Sequence, residues 1–260
     1  MDTDSTTHIL PPSRNEATDA TTLVFTGQVV TLEDDASTPI YQLSRELACT
    51  VQKHTSIIFE RVEFIESGES GSVSSRKRKR RSQDLFYLVH PAHAQYRNDL
   101  PAYYITAASP GTLGNIQFDI SKTVLQKADF KAMLNADRSA ADVLLFNRET
   151  QQTLFEVKPK WKGGHYQWID TDGQKVAYES GKGDEHKLII QVALQQQVKD
   201  ALVALWVLRL WHDSAESRTA KRQELEELTG PVEPSSYPST KTLKGVAAGG
   251  ALAGAGGGGC

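Results

Sequence analysis

Cysteine is almost missing from this 260-residue chain: only Cys49 and Cys260 occur, the second as the last residue. That excludes a disulfide framework and a cysteine-rich zinc site. The start, MDTDSTTHILPPS, has no basic region and no apolar stretch, so no secretory signal is expected. No run of about 18 apolar residues exists, which excludes an ordinary membrane-spanning helix. These absences point to a reducing intracellular compartment, nucleus or cytoplasm.

Catalytic signatures are lacking too. There is no G-x-S-x-G, no H-E-x-x-H and no phosphate-binding glycine loop. Of the seven histidines only His90 and His93 are close in sequence, and HPAH has no third ligand at zinc-like spacing. GKGDEHK (181–187) is glycine-rich but lacks a flanking strand and helix, and reads as a turn. Cys49 reads as a small buried hydrophobe rather than a nucleophile. Cys260 closes GGGC, which is no C-a-a-X box, and reads as part of an unmodified tail. Asp142, Glu156, Asp170 and Asp172 are the scattered carboxylates, and sequence alone does not pair them. No catalytic residue, cofactor or metal ligand is therefore assigned, and a non-enzyme is expected.

What is present is a folded centre between polar ends. The apolar fraction is 39%, low for a fully globular chain. Residues 1–22 are polar with Pro11 and Pro12, and 229–260 end in GVAAGGALAGAGGGGC; both are expected to be disordered tails. The net charge is −3, from 29 basic and 32 acidic residues. Six of the cations are consecutive: Arg76, Lys77, Arg78, Lys79, Arg80 and Arg81. Without them 23 cations would face 32 acids, a charge of −9. A nucleic-acid-binding domain carries a broad basic face, so nucleic acid is an unlikely partner for this acidic body.

Strand patterns fill residues 23–190. LVFTGQVVTL (23–32), IYQLSREL (40–47), SIIFERVEFI (56–65), DLFYLVH (84–90) and AYYITAA (102–108) carry β-branched or alternating residues. NIQFDIS (115–121) alternates strictly, with Ile116, Phe118 and Ile120 on one face. Val124, Leu125, Phe130 and Met133 have helical spacing, so one short helix is expected within 122–134. DVLLFNRETQQTLFEVKP (142–159) and HYQWIDTDGQKVAYES (165–180) read as hairpins, the second turning on DTDG. Residues 66–83 are glycine, serine and cations, and are expected to form a flexible basic loop. This makes ten or eleven strands with hardly a helix between them. The fold class is mainly β: an antiparallel sheet, closed or nearly closed, since closure removes exposed edges.

ALVALWVLRLW (201–211) is apolar at ten of eleven positions, Arg209 being the exception. A surface helix would show a polar face. Eleven residues rise only about 16 Å, short of the roughly 30 Å of a bilayer core. The expected environment is the barrel interior. Arg209 must then lie at a mouth, snorkel outward or pair with a carboxylate. Residues 213–228 are highly charged and are expected to extend the helix into solvent.

DVLLFNRETQQTLFEVKPKW (142–161), HYQWIDTDG (165–173) and DALVALWVLRLW (200–211) make residues 23–212 resemble the tubby C-terminal-like superfamily, in a fungal branch. That superfamily holds tubby domains, phospholipid scramblases and LURP-one-related proteins. The resemblance implies a closed barrel of about twelve strands around a hydrophobic C-terminal helix, and work near membranes. Its details do not carry over. No stretch aligns with the tubby phosphoinositide-contacting positions, and the cysteine cluster and membrane-inserting terminal helix of scramblases are lacking.

Two candidate sites remain. Arg76–Arg81 have the composition of a nuclear import signal, a contact for anionic phospholipid, or a solubilising insert. The flanking Ser72, Ser74, Ser75 and Ser82 offer sites for phosphorylation. In KPKWKGGHYQW, Lys158, Lys160 and Lys162 with Trp161 and Trp168 form a weaker candidate anion site. The function expected is a non-enzymatic binding or scaffold domain, nuclear-targeted through the basic loop. Its alternative is a peripheral protein that binds anionic phospholipid, and a further alternative is an enzyme whose site is built from separated strands.

Overall fold

The computed structural model describes residues 21–47, 56–66, 78–91, 94, 100–121, 128–136, 145–147, 149–160, 165–181 and 185–217. Twelve strands follow one another: β1 (Thr21–Thr26), β2 (Val29–Leu32), β3 (Pro39–Leu43), β4 (Ser56–Glu66), β5 (Arg78–Val89), β6 (Tyr104–Ala107), β7 (Asn115–Ser121), β8 (Asp129–Asn135), β9 (Gln152–Pro159), β10 (Tyr166–Ile169), β11 (Lys175–Ser180) and β12 (His186–Ile190). Helix α1 (Gln196–Ala215) follows. Each strand pairs antiparallel with the next, and β12 returns to β1 through pairs such as Leu23 with Leu188, closing the barrel. This is the architecture that the tubby-like resemblance implies.

Alternation decides which side chains face inward. Tyr41 and Leu43 of β3, Ile57 and Phe59 of β4, and Phe118 of β7 are buried, while Gln42 and Asp119 look out. Eight strands leave an interior that side chains alone can fill, and twelve enclose more. α1 fills that space. Every residue from Lys199 to His212 is buried, Leu205 and Leu208 completely. A helix without a polar face is stable here because strands surround it. Among the described residues no helix is long and apolar enough to cross a membrane.

Two polar clamps hold α1 near its ends. Near the N-terminal end the Asp200 carboxylate accepts hydrogen bonds from Tyr41 Oη (2.8 Å), Arg61 Nη1 (2.8 Å) and Gln196 Nε2 (2.6 Å). Nearer the C-terminus Arg209 donates Nε to Glu179 Oε1 (2.6 Å), Nη2 to Glu179 Oε2, and Nη1 to Asp213 Oδ2 (2.6 Å). Trp168 Nε1 donates to the same Glu179 carboxylate (3.0 Å), and Arg209 stacks over the Tyr166 ring. Arg209 is therefore buried and paired with carboxylates, one of the three solutions expected. Arg209 lies nine positions after Asp200, about 13.5 Å of helix rise. Together they set the depth and rotation of the plug.

Several elements differ from expectation. Asp129–Asn135 is strand β8, not part of a helix: Phe130 and Ala132 pack inward, and β7 and β9 offer ladders on both sides. In that setting the partners decide a pattern that fits either period. LVFTGQVVTL is two strands around Gly27, which has φ +64°. Among its described residues the expected 142–159 hairpin supplies only β9; residues 145–147 are not strand, and 142–144 and 148 lie outside the described residues. Gly173 has φ +78° in the DTDG turn, where Asp170 Oδ1 accepts from the backbone of Asp172 and Gln174. The expected charged extension is described only to Ser217, with α1 ending at Ala215.

Candidate functional site: a basic arm on the barrel

Within the expected flexible loop 66–83, Glu66 and residues 78–83 are strand, and 67–77 lie outside the described residues. β5 begins at Arg78 and pairs with β4 without a break up to a bulge beside Phe59: Glu66 with Arg78, Ile65 with Lys79, Phe64 with Arg80, Glu63 with Arg81, Val62 with Ser82. The reason is that β4 continues past the barrel wall and offers these cationic residues a ladder. β3 leaves β4 at Arg61, and β6 joins β5 only from Phe86. Residues 62–66 and 78–82 thus pair with one another alone. Five such pairs make a two-stranded arm about 17 Å long.

The arm's root is tied to the plug. Arg61 Nη1 bonds Asp200, its Nη2 donates to Gln83 Oε1 (3.1 Å), and its Nε donates to Glu63 Oε1 (3.2 Å). Arg80 Nη2 donates to Gln42 Oε1 on β3. A free two-stranded hairpin is marginal in water. These bonds orient this one against the barrel.

Toward its free end the arm is cationic and apolar at once. Lys79, Arg80 and Arg81 are exposed, and so are Phe64 (39%) and Ile65 (46%). Neighbouring residues on a strand face opposite sides, so Phe64 lies on one face beside Arg80 and Ile65 on the other beside Lys79. Phe64 thus shares its face with Arg80, and Ile65 shares the other with Lys79, Arg81 and Glu63. Arg76 and Lys77 lie outside the described residues, as do Ser72, Ser74 and Ser75; Ser82 is exposed on β5. Phe64 and Ile65 were not among the expected site residues. Two large hydrophobes ending a strand beside a basic run were the signal available.

The lysine cluster is placed differently. Lys158 and Lys160 are exposed at the end of β9 and after it; Lys158 pairs with Glu156 (2.7 Å), and Lys160 lies 4.7 Å from the Tyr178 ring centre. Trp168 points into the core and is fully buried, so it forms no wall for them. Trp161 and Lys162 lie outside the described residues. The hydrogen bond from Lys158 lowers the Glu156 carboxyl below its usual range, and Glu156 raises Lys158 in turn.

Titratable groups beside the plug serve its packing. His90 stacks on Tyr103 at 4.2 Å, and its Nδ1 lies 2.7 Å from the Ala102 carbonyl. Burial lowers the His90 ring below the usual histidine range and pushes the Tyr103 hydroxyl well up, so both are neutral near pH 7. His93 and Cys49 lie outside the described residues. Burial raises the Glu179 carboxyl, yet both of its oxygens are occupied by Arg209 and Trp168, which leaves no free base there. Among the described residues no group of three His, Cys, Asp or Glu side chains could hold a metal ion. Neither models of protein families, nor curated proteins, nor solved structures match the chain.

Proposed function

We propose that the chain is a non-enzymatic binding domain that docks on anionic phospholipid surfaces through the β4–β5 arm. The observation that carries this reading is the pairing of cations with exposed Phe64 and Ile65 on the same protruding ladder. Cations hold an anionic headgroup layer, each contributing about 1 kcal/mol near the surface. The apolar residues then have the acyl boundary to enter, while the long cationic side chains reach back to the headgroups. The acidic body, at −9 without the basic run, would repel the same surface. At physiological salt the screening length is about 8 Å, so an arm of about 17 Å holds most of that charge two screening lengths away.

The basic run also has the composition of an import signal. A receptor that reads it as a single extended segment must first peel Arg78–Arg81 from β4, which favours the lipid reading.

The test is sedimentation of the full chain with vesicles of phosphatidylcholine alone or with added phosphatidylserine. Binding is expected only to the anionic vesicles, and to fall as salt rises. Exchanging Arg78, Lys79, Arg80 and Arg81 for Gln should weaken it by roughly a hundredfold or more, at about 1 kcal/mol per cation. No vesicle binding, with nuclear location in cells that is lost in the same variant, would replace this reading by import.

A further inference from the structure

A second site lies at the other end of the plug and is independent of the arm. Between the C-terminal half of α1 and the ends of β10, β11 and β12 is a cleft of about 420 Å³, bordered by Trp206, Arg209 and Asp213 on the helix and by Tyr166, Glu179 and Lys187 on the strands. Its size suits a molecule of about one ring.

The hydrogen-bonding groups in this cleft are unbalanced. The acceptors are occupied: Glu179 takes bonds from Arg209 and Trp168, while Asp213 takes one from Arg209 and lies 3.3 Å from His212 Nδ1. Donors are left over. Arg209 has five N–H groups and uses three here. Trp206, fully buried on the helix face of the cleft, has an indole N–H with no hydrogen-bond partner. A buried donor without a partner is costly, and an incoming acceptor recovers that cost.

Charge narrows the ligand. Arg209 is flanked by Glu179 and Asp213, and Lys187 by Glu33 (2.8 Å) and Glu185 (3.0 Å). Three carboxylates border the cleft, Glu179, Glu185 and Asp213, against the two cations Arg209 and Lys187, so an anion is repelled. A cation would bring further donors to a wall whose inner acceptors are taken. We infer that the cleft binds an uncharged small molecule rich in carbonyl or hydroxyl oxygens, with its acceptors on Trp206 Nε1 and Arg209. The site has a built edge as well. Gly181, with φ +131°, lines it, and a Cβ there would stand 1.9 Å from the Glu185 carbonyl oxygen.

The test is the indole N–H region of a ¹H–¹⁵N spectrum of the full chain, with the Trp206 signal assigned through Trp206→Phe. Titration with N-acetylglucosamine, and separately with glycerol, is expected to shift the Trp206 signal saturably, whereas inorganic phosphate leaves it in place. An equal shift with phosphate overturns the uncharged class. No shift with either uncharged probe, together with hydrogen exchange at Trp206 as slow as at the bonded Trp168, shows that the cleft does not reach this donor and removes the site. If Trp206→Phe fails to fold, the Trp206 indole is assigned from its nuclear Overhauser contacts with Phe25 in the unaltered chain, on which the exchange is measured, so the outcome stands.

Discussion

Replacing Glu179 by Leu is expected to destabilise the chain by about 3–5 kcal/mol, because it leaves Arg209 as a buried charge without its bidentate partner. Arg209 is only 3% exposed, and the remaining partner, Asp213, is half in solvent. The variant also strands the Trp168 indole N–H. Removing both charges acts differently. The pair Glu179→Leu with Arg209→Met takes away two desolvation penalties along with one attraction, and should recover much of the loss. A urea-denaturation cycle of the two single variants and the double variant measures this. Two additive single effects, or a Glu179→Leu cost below about 0.5 kcal/mol, would mean that the clamp does not hold the helix.

Leu205→Ala carries the second large effect, an expected loss of about 2–5 kcal/mol. Leu205 is fully buried in the middle of the plug, with the barrel closed around it. The wall cannot collapse far onto the space left behind, since its strands are joined in a ring. The spread in the estimate reflects how well the site relaxes. Leu145, at 44% exposure, is the control: its replacement by Ala should fall within about 0.5 kcal/mol. Equal midpoints for the two variants in thermal melts would contradict a central helix.

The two parts of the molecule are coupled through one residue. Arg61 sits where the arm leaves the barrel, and its guanidinium bonds Asp200 on the plug together with Glu63 on the arm and Gln83 at its root. Burial raises the Asp200 carboxyl, while Arg61, Tyr41 and Gln196 pull it back. Such a junction ties the root of the arm to the buried helix. A binding element on a rigid base loses less freedom on docking than a loose loop would.

Much of this fold was legible in the chain. NIQFDIS alternates cleanly because only one of its faces meets the core. DTDG could hardly be anything but a turn, given the positive φ of Gly173 and the Asp170 side chain that closes it. The apolar run 201–211 ruled out a surface helix through its composition alone. Other features depend on partners distant in sequence. Glu179 lies 30 residues before Arg209, so a carboxylate could be expected but not named. Asp129–Asn135 became a strand because two neighbours offered ladders. The arm was hidden for the same reason: glycine, serine and cations read as loop until β4 supplies a partner. The cleft draws on β10, β11, β12 and α1 together, and no local pattern marks it.

The most direct test of the binding account reads the arm itself. In Phe64→Trp, the difference in fluorescence from the unaltered chain reports the surroundings of the new indole at the exposed end of the arm. With vesicles containing phosphatidylserine, the account predicts a blue shift and quenching by lipids brominated near the headgroup boundary, neither of which appears with phosphatidylcholine alone. An unchanged spectrum on anionic vesicles that nonetheless sediment with the protein would contradict it, because binding would then occur without the arm entering the surface.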